Sequence, residues 1–165
     1  MNKEDIYHLL IEKDIPFEKM EHEAVFNMEE MRNVHLPHPE SEAKNLFVRD
    51  DKKQNYYLIT VRGDKRVDMR EFQRNNGTRR LSFVSDEDLL RILGVIPGAV
   101  TPFGILNDEE CKVTLFLDEE FSEGTGLIGV HPNDNTATVW LRAADLVRLI
   151  REHGNPVKYV KISGV

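Results

Sequence analysis

An uncharged run of eleven residues, Gly94-Val95-Ile96-Pro97-Gly98-Ala99-Val100-Thr101-Pro102-Phe103-Gly104, carries three glycines and two prolines. Glycine admits close approach and positive φ, while proline fixes φ at about −65° and removes a donor, so the remaining N–H groups can be held in one direction. Main chain held in this way can bind a carbonyl oxygen or an oxyanion. The N–H groups of Gly98 to Thr101 are the candidate donors; the plainer alternative is a tight surface turn. Two further pairs stand at strand ends, where sites collect: Lys44-Asn45 at the head of one strand and His131-Pro132 just after another. His22, His35, His38 and His131 show neither a His-Glu-x-x-His pattern nor ligand spacing, so no metal is expected. Cys111, the single cysteine, excludes an internal disulfide and reads as a small core hydrophobe in an alternating segment.

The elements that must position these groups follow from periodicity and caps. Asn2 to Lys13 has helical spacing of Ile6, Leu9 and Leu10, and Phe17 to His22 reads as a short strand. Asn27 and Glu30 form a capping-box-like start for a helix through Met31. Strands are expected at Ala43 to Val48, Tyr56 to Val61, Lys112 to Leu117, Gly126 to Val130, Thr136 to Leu141 and Val157 to Ile162. Helices are expected over Asp68 to Asn75, from Ser85 to Gly94, and over Ala143 to His153. The pattern is mixed α+β with mostly antiparallel pairings.

At 165 residues the chain is read as one domain, 1–165, since a domain of this size buries roughly 70 % of its unfolded surface. No run reaches the roughly 18 apolar residues that span a bilayer, and a cytoplasmic protein with no membrane partner is expected. The net charge of −7 argues against nonspecific nucleic-acid binding and no DNA partner is expected, yet the charge is uneven. Arg49 to Arg80 holds ten basic residues against five acidic ones, a local +5 on a remainder of −12. One electropositive face suits a partner whose phosphates approach from one side, and a merely solvated surface is the alternative.

Taken in order, Lys44-Asn45-Leu46-Phe47-Val48-Arg49-Asp50, Arg80-Leu81-Ser82-Phe83, Gly98-x-x-x-Pro102 and Val130-His131-Pro132 resemble the prolyl-tRNA editing family, from about His22 to the C-terminus. These are the freestanding YbaK-like deacylases related to the editing insertion of bacterial prolyl-tRNA synthetase. The resemblance implies a compact α/β domain around a mixed, barrel-like sheet, hydrolysing the ester of a wrong amino acid on proline tRNA without a cofactor. Its implied catalytic set is Lys44, Asn45, Gly98, Ala99, Val100, Thr101, Pro102 and His131, with Lys44 on the terminal phosphate or ribose and Asn45 and His131 orienting substrate or water. Lys-Asn-Leu-Phe looks like the alanine-clearing branch; clearance of cysteine is the runner-up. Asn27 stands where the family often has threonine, and 37–43 lacks a glycine expected before the lysine.

A proline-shaped synthetase pocket excludes a smaller alanine by only about 1–3 kcal/mol, so errors of this kind need a second sieve. Val25, Met28, Met31 and Leu46 are candidate walls of such a pocket, and plain core residues otherwise. Lys65, Arg66, Arg79 and Arg80 are candidate contacts to the acceptor end of proline tRNA, with prolyl-tRNA synthetase as a possible second partner. A noncatalytic tRNA- or synthetase-docking module using the basic face alone is the competing class, and a hydrolase of small esters, which needs no such face, is third.

Overall fold

Helix α1 (Lys3–Glu12) starts where Asn2 and Asp5 close a capping box, each side chain accepting the other's backbone N–H at 2.9 Å. It buries Ile6, Tyr7 and Leu10. After β1 (Phe17–Glu21), Asn27 Oδ1 accepts the Glu30 N–H at 2.8 Å and starts α2 (Met28–Arg32), as its sequence suggests. The Glu30 carboxylate reaches one residue further back than a capping box would take it, accepting the Phe26 N–H at 2.7 Å. The chain then runs β2 (Ala43–Asp50), β3 (Tyr56–Arg62), α3 (Met69–Asn76), β4 (Leu81–Phe83), α4 (Asp86–Leu93), β5 (Val113–Asp118), β6 (Leu127–Val130), β7 (Ala137–Arg142), α5 (Ala143–His153) and β8 (Val157–Val160). Asp68 and Ser85 cap α3 and α4, and Gly77, Gly94 and Gly154 end α3, α4 and α5 in the left-handed region. This is a computed structural model, describing residues 1–32 and 34–163.

The strands form two sheets, β1-β7-β6 and β4-β2-β3-β5-β8. Pairing is antiparallel except for β3 with β5 and β5 with β8. The expected mixed, mostly antiparallel sheet is therefore present, but it does not close into a barrel. Among the described residues the backbones of the two sheets pair at one parallel bridge, Glu42 with Gly129. On the N-terminal side of Glu42 the bridge cannot extend, because Pro39–Ser41 is a 3-10 turn opened by a proline, which has no N–H to offer a neighbouring strand.

One face of the larger sheet packs Phe47, Leu58 and Leu115 with Ile6 and Leu10 of α1, Phe103, Val139 and Ile150. The other packs Val48, Ile59, Val61 and Phe116 under Phe72 of α3, the last two rings edge to face at 5.0 Å. Covered on both sides, β3 and β5 take continuous apolar runs rather than alternation. Cys111 departs from its expected core position. It is half-buried in a turn at φ 52°, its thiol 3.6 Å from the His153 carbonyl.

Beside β5 the side chain of Lys65 is buried, 2.7 Å from the fully buried Asp118 and 3.0 Å from Glu120, and it also donates to the Ile162 carbonyl at 3.1 Å. Burial works against its charge, but the bonds to Asp118 and Glu120 more than offset it and hold its pKa above the ordinary lysine value. Removing one partner strands the other charge. Asp118→Asn should therefore cost roughly 3–5 kcal/mol in urea unfolding, whereas Asp51→Asn, which breaks the exposed pair with Arg79, should leave the midpoint nearly unmoved.

Candidate functional site

Where the two sheets part, a cavity of about 260 Å³ opens between four pieces of chain. Its walls are Val25 to Met28 with Met31, the head of β2 from Glu42 to Asn45, Pro97, Gly98 and Val100 of the glycine-proline loop, and Gly129 to His131 at the end of β6. Of the residues singled out from sequence, Val25, Met28, Met31, Lys44, Asn45, Gly98, Val100 and His131 line it. A second opening of about 420 Å³ adjoins it and shares Met28, Met31 and Glu42.

The loop is two 3-10 turns, Pro97–Ala99 and Pro102–Asn107. Gly98 is required by close approach: a Cβ there would fall 2.7 Å from the Phe26 ring and 3.3 Å from the Phe26 Cα. The Ala99 N–H is spent on the Ile96 carbonyl at 2.9 Å, which removes it from the expected donors. The N–H groups of Gly98, Val100 and Thr101 have no acceptor among the described residues. Thr101 and Pro102 are buried behind the cavity. Thr101 Oγ1 donates to the His131 carbonyl at 2.6 Å, clamping the loop to the end of β6.

His131 Nδ1 donates to the Ala137 carbonyl at 2.8 Å, which fixes the tautomer and leaves Nε2 with its lone pair. Burial holds its pKa below the ordinary histidine value, and the neighbouring His22, 6.1 Å away between ring centres, pushes the same way. Asn45 Oδ1 accepts the Thr60 hydroxyl at 2.7 Å, so its NH2 end is the one left to donate. Lys44 Nζ donates to the Lys65 carbonyl at 2.8 Å. Its pKa is lowered, by burial first and by the nearby Arg66 charge second.

Three expected positions are corrected. Leu46 packs into the second core with Ile59 and Val61, because alternation along β2 turns it to the face opposite Asn45. Lys65 is sealed in its ion pairs and cannot reach a nucleic acid. Arg79 is exposed but forked onto Asp51 at 2.6 and 2.9 Å, which neutralises it. Arg66 and Arg80 remain exposed and form no ion pair among the described residues.

Sequence reasoning missed Phe26 and Glu42, both of which line the cavity. Glu42 is 8 % exposed, and its Oε1 has no hydrogen-bond partner among the described residues. Burial pushes its carboxyl up to about 8, the neighbouring Trp140 indole N–H opposing only in part. Acids at cavity mouths have no spacing signal, and a lone glutamate before a strand reads as surface.

A glutamate that keeps its proton in the native state up to pH 8, and loses it near 4.5 when unfolded, binds more protons folded than unfolded between those values. Stability falls as pH rises through that window and levels off above it. Glu42→Gln should lift this penalty, so its advantage over the parent in unfolding free energy should grow from pH 4.5 to 8 to on the order of 2–4 kcal/mol. A pH-independent difference would show Glu42 ionised throughout.

Residues 22–149 match the aminoacyl-tRNA editing domain family. The chain is 36 % identical to the prolyl-tRNA editing protein ProX of Acetoanaerobium sticklandii over 160 residues, 97 % of each chain. It is 38 % identical to prolyl-tRNA synthetase associated domain-containing protein 1 of Danio rerio over 135 residues, 81 % of this chain and 72 % of that one. A solved structure described as a candidate trans-editing enzyme for prolyl tRNA synthetase shares the fold at a TM-score of 0.64 and 20 % identity, over 89 % of this chain and 87 % of that one. The chain belongs to the aminoacyl-tRNA editing domain family, and to its prolyl-tRNA editing branch.

Proposed function

We propose that this protein is a freestanding deacylase that hydrolyses the ester of alanine mischarged onto proline tRNA. The observation that supports this most directly is the cavity that gathers Lys44, Asn45, the free N–H groups of the glycine-proline loop and His131. At about 260 Å³ it is smaller than the roughly 300–1,000 Å³ of common ligand pockets, which suits a terminal ribose carrying a small side chain. The apolar wall of Val25, Met28 and Met31 is the side at which a proline ring would be rejected by overlap in this reading.

In the reaction water adds to the ester carbonyl and the 3′-oxygen of the terminal ribose leaves, taking a proton, to give free amino acid and intact tRNA. An ester is already activated, so the protein's work is to place the water and to stabilise the oxyanion. The N–H groups of Gly98 and Val100, held by the clamp from Thr101 to His131, are the donors in this reading. The His131 Nε2 lone pair orients the water. Lys44, kept short of full hydration by its bond to the Lys65 carbonyl, meets the terminal phosphate or ribose. Exposed Arg66 and Arg80 lie in the basic segment and meet the acceptor stem, whereas Lys65 does not. The partners are the acceptor end of proline tRNA and, by the names of the relatives, prolyl-tRNA synthetase.

The test is hydrolysis of alanyl, cysteinyl and prolyl esters on proline tRNA. Alanine should be released selectively, and Lys44→Ala should lower kcat/KM by roughly a hundredfold or more. The wild-type rate should hold through the ordinary histidine range and fall only on further acidification, as His131, whose pKa burial holds below that range, takes a proton and its lone pair is lost. Preferential release of cysteine would move the substrate assignment, and binding of tRNA with no turnover of any ester would replace the enzyme with a docking module.

A further inference from the structure

Glu42 is a buried acid to which the deacylase chemistry above gives no task. It stands two residues before Lys44, on the bridge that joins the sheets, and it borders both cavities. Its Oε1 and the Trp140 indole N–H are both buried, and neither has a hydrogen-bond partner among the described residues. They converge on Gly129, where a Cβ would fall 2.8 Å from Oε1 and 2.6 Å from the indole nitrogen, so glycine alone leaves the carboxyl its place. An underpaired buried carboxyl costs stability, and the polar group beside it among the described residues, the Trp140 indole N–H, offsets that cost only in part.

An aminoacyl ester brings the missing group. Its α-ammonium loses water on entering the cavity and needs an anion there. Among the described residues that line the cavity, Glu42 is the only acid. The other ionisable walls do not compete: Lys44 is a cation drawn toward the Lys65 carbonyl, and His131 is held neutral by burial.

We propose that the Glu42 carboxylate receives the α-ammonium of the aminoacyl ester, which makes the site selective for esters with a free, protonated α-amine. This rests on the deacylase reading. No covalent bond is made or broken by the contact. Free Glu42 carries its proton at neutral pH, so the arriving ammonium drives that proton to solvent and the resulting ion pair is what binds. Selection then has two parts, size at the apolar wall and charge at Glu42.

The test compares alanyl and lactyl esters of the same proline tRNA, which differ by an ammonium or a hydroxyl on the α-carbon, with wild type and Glu42→Gln. A hydrogen bond to a charged group is worth a factor of roughly 10–100. Wild type should therefore prefer the alanyl ester by about tenfold or more in kcat/KM. Glu42→Gln should lose that preference, mainly through KM, with the lactyl rate kept within about twofold, since glutamine matches the neutral acid in shape. Equal losses on both esters, or none on the alanyl ester, would overturn the assignment. Binding of 3′-alanylamido-adenosine, which cannot be hydrolysed at the ester, separates the two readings. If wild type turns over neither ester the deacylase fails, while weaker binding of the amide to Glu42→Gln would still support the role of Glu42 and unchanged binding would overturn it.

Discussion

Among the described residues the two sheets, packed together through a shared core, are joined by backbone pairing at one point, Glu42 with Gly129. A sheet that closed fully would fill its interior with side chains, as small barrels do. Here the sheets leave a wedge, and the segments around Val25, Lys44, Gly98 and His131 reach it from both sheets and from the loops between them. The bridge also sets the cost of the site. It sets one carboxyl oxygen beside one indole N–H in low dielectric, neither meeting hydrogen-bond geometry among the described residues, a kind of defect that folded proteins keep rare.

The cations are organised from the opposite direction. Asp118 is fully buried and holds Lys65; the Lys65 carbonyl in turn holds the Lys44 amine. A buried ion pair contributes little net stability, but it is intolerant of displacement, so it works as a fixed post on which a partly exposed lysine can lean. Lys44 thereby presents its remaining N–H groups from a defined position instead of sweeping solvent with four rotatable bonds, which lowers the entropy lost when an anion binds. The same post removes one charge from the basic segment, and Asp51 neutralises another at Arg79. What stays exposed and unpaired among the described residues includes Arg66 and Arg80.

Much of this was legible in the sequence, and the limits have physical causes. Caps and stops are local chemistry, so Asn27 and Ser85 marked helix starts and Gly94 a helix end, while Asn2 and Asp68, the first residues of expected helices, prove to be caps as well. The short β4 at Leu81–Phe83 was not readable as a strand, because three residues give periodicity nothing to act on. Leu46 was readable in principle, since alternation places it opposite Asn45. Lys65 was not: its partner Asp118 is far along the chain, and only tertiary packing brings the two together. In the loop, glycine and proline content announced an ordered main chain, but not that the Ala99 N–H would be consumed internally by a 3-10 turn. Glu42 lay outside any motif, because its importance comes from being buried beside Gly129 and Trp140.

Size and charge divide the proposed recognition in a way the physics favours. An apolar wall discriminates against an oversized ring by overlap, which is steep, but against a missing methylene only weakly. Such a wall is suited to rejecting proline and poorly suited to telling alanine from other small groups. A carboxyl in the same cavity adds a term independent of side-chain size, because it senses the α-amine that every correctly charged and mischarged aminoacyl ester carries. Its burial, costly in the free protein, sharpens that term, since an ion pair formed away from water is stronger than one at the surface. The defect at the bridge and the selectivity of the cavity are on this argument one feature, with folding free energy given up in the empty site and recovered when the substrate's ammonium completes it.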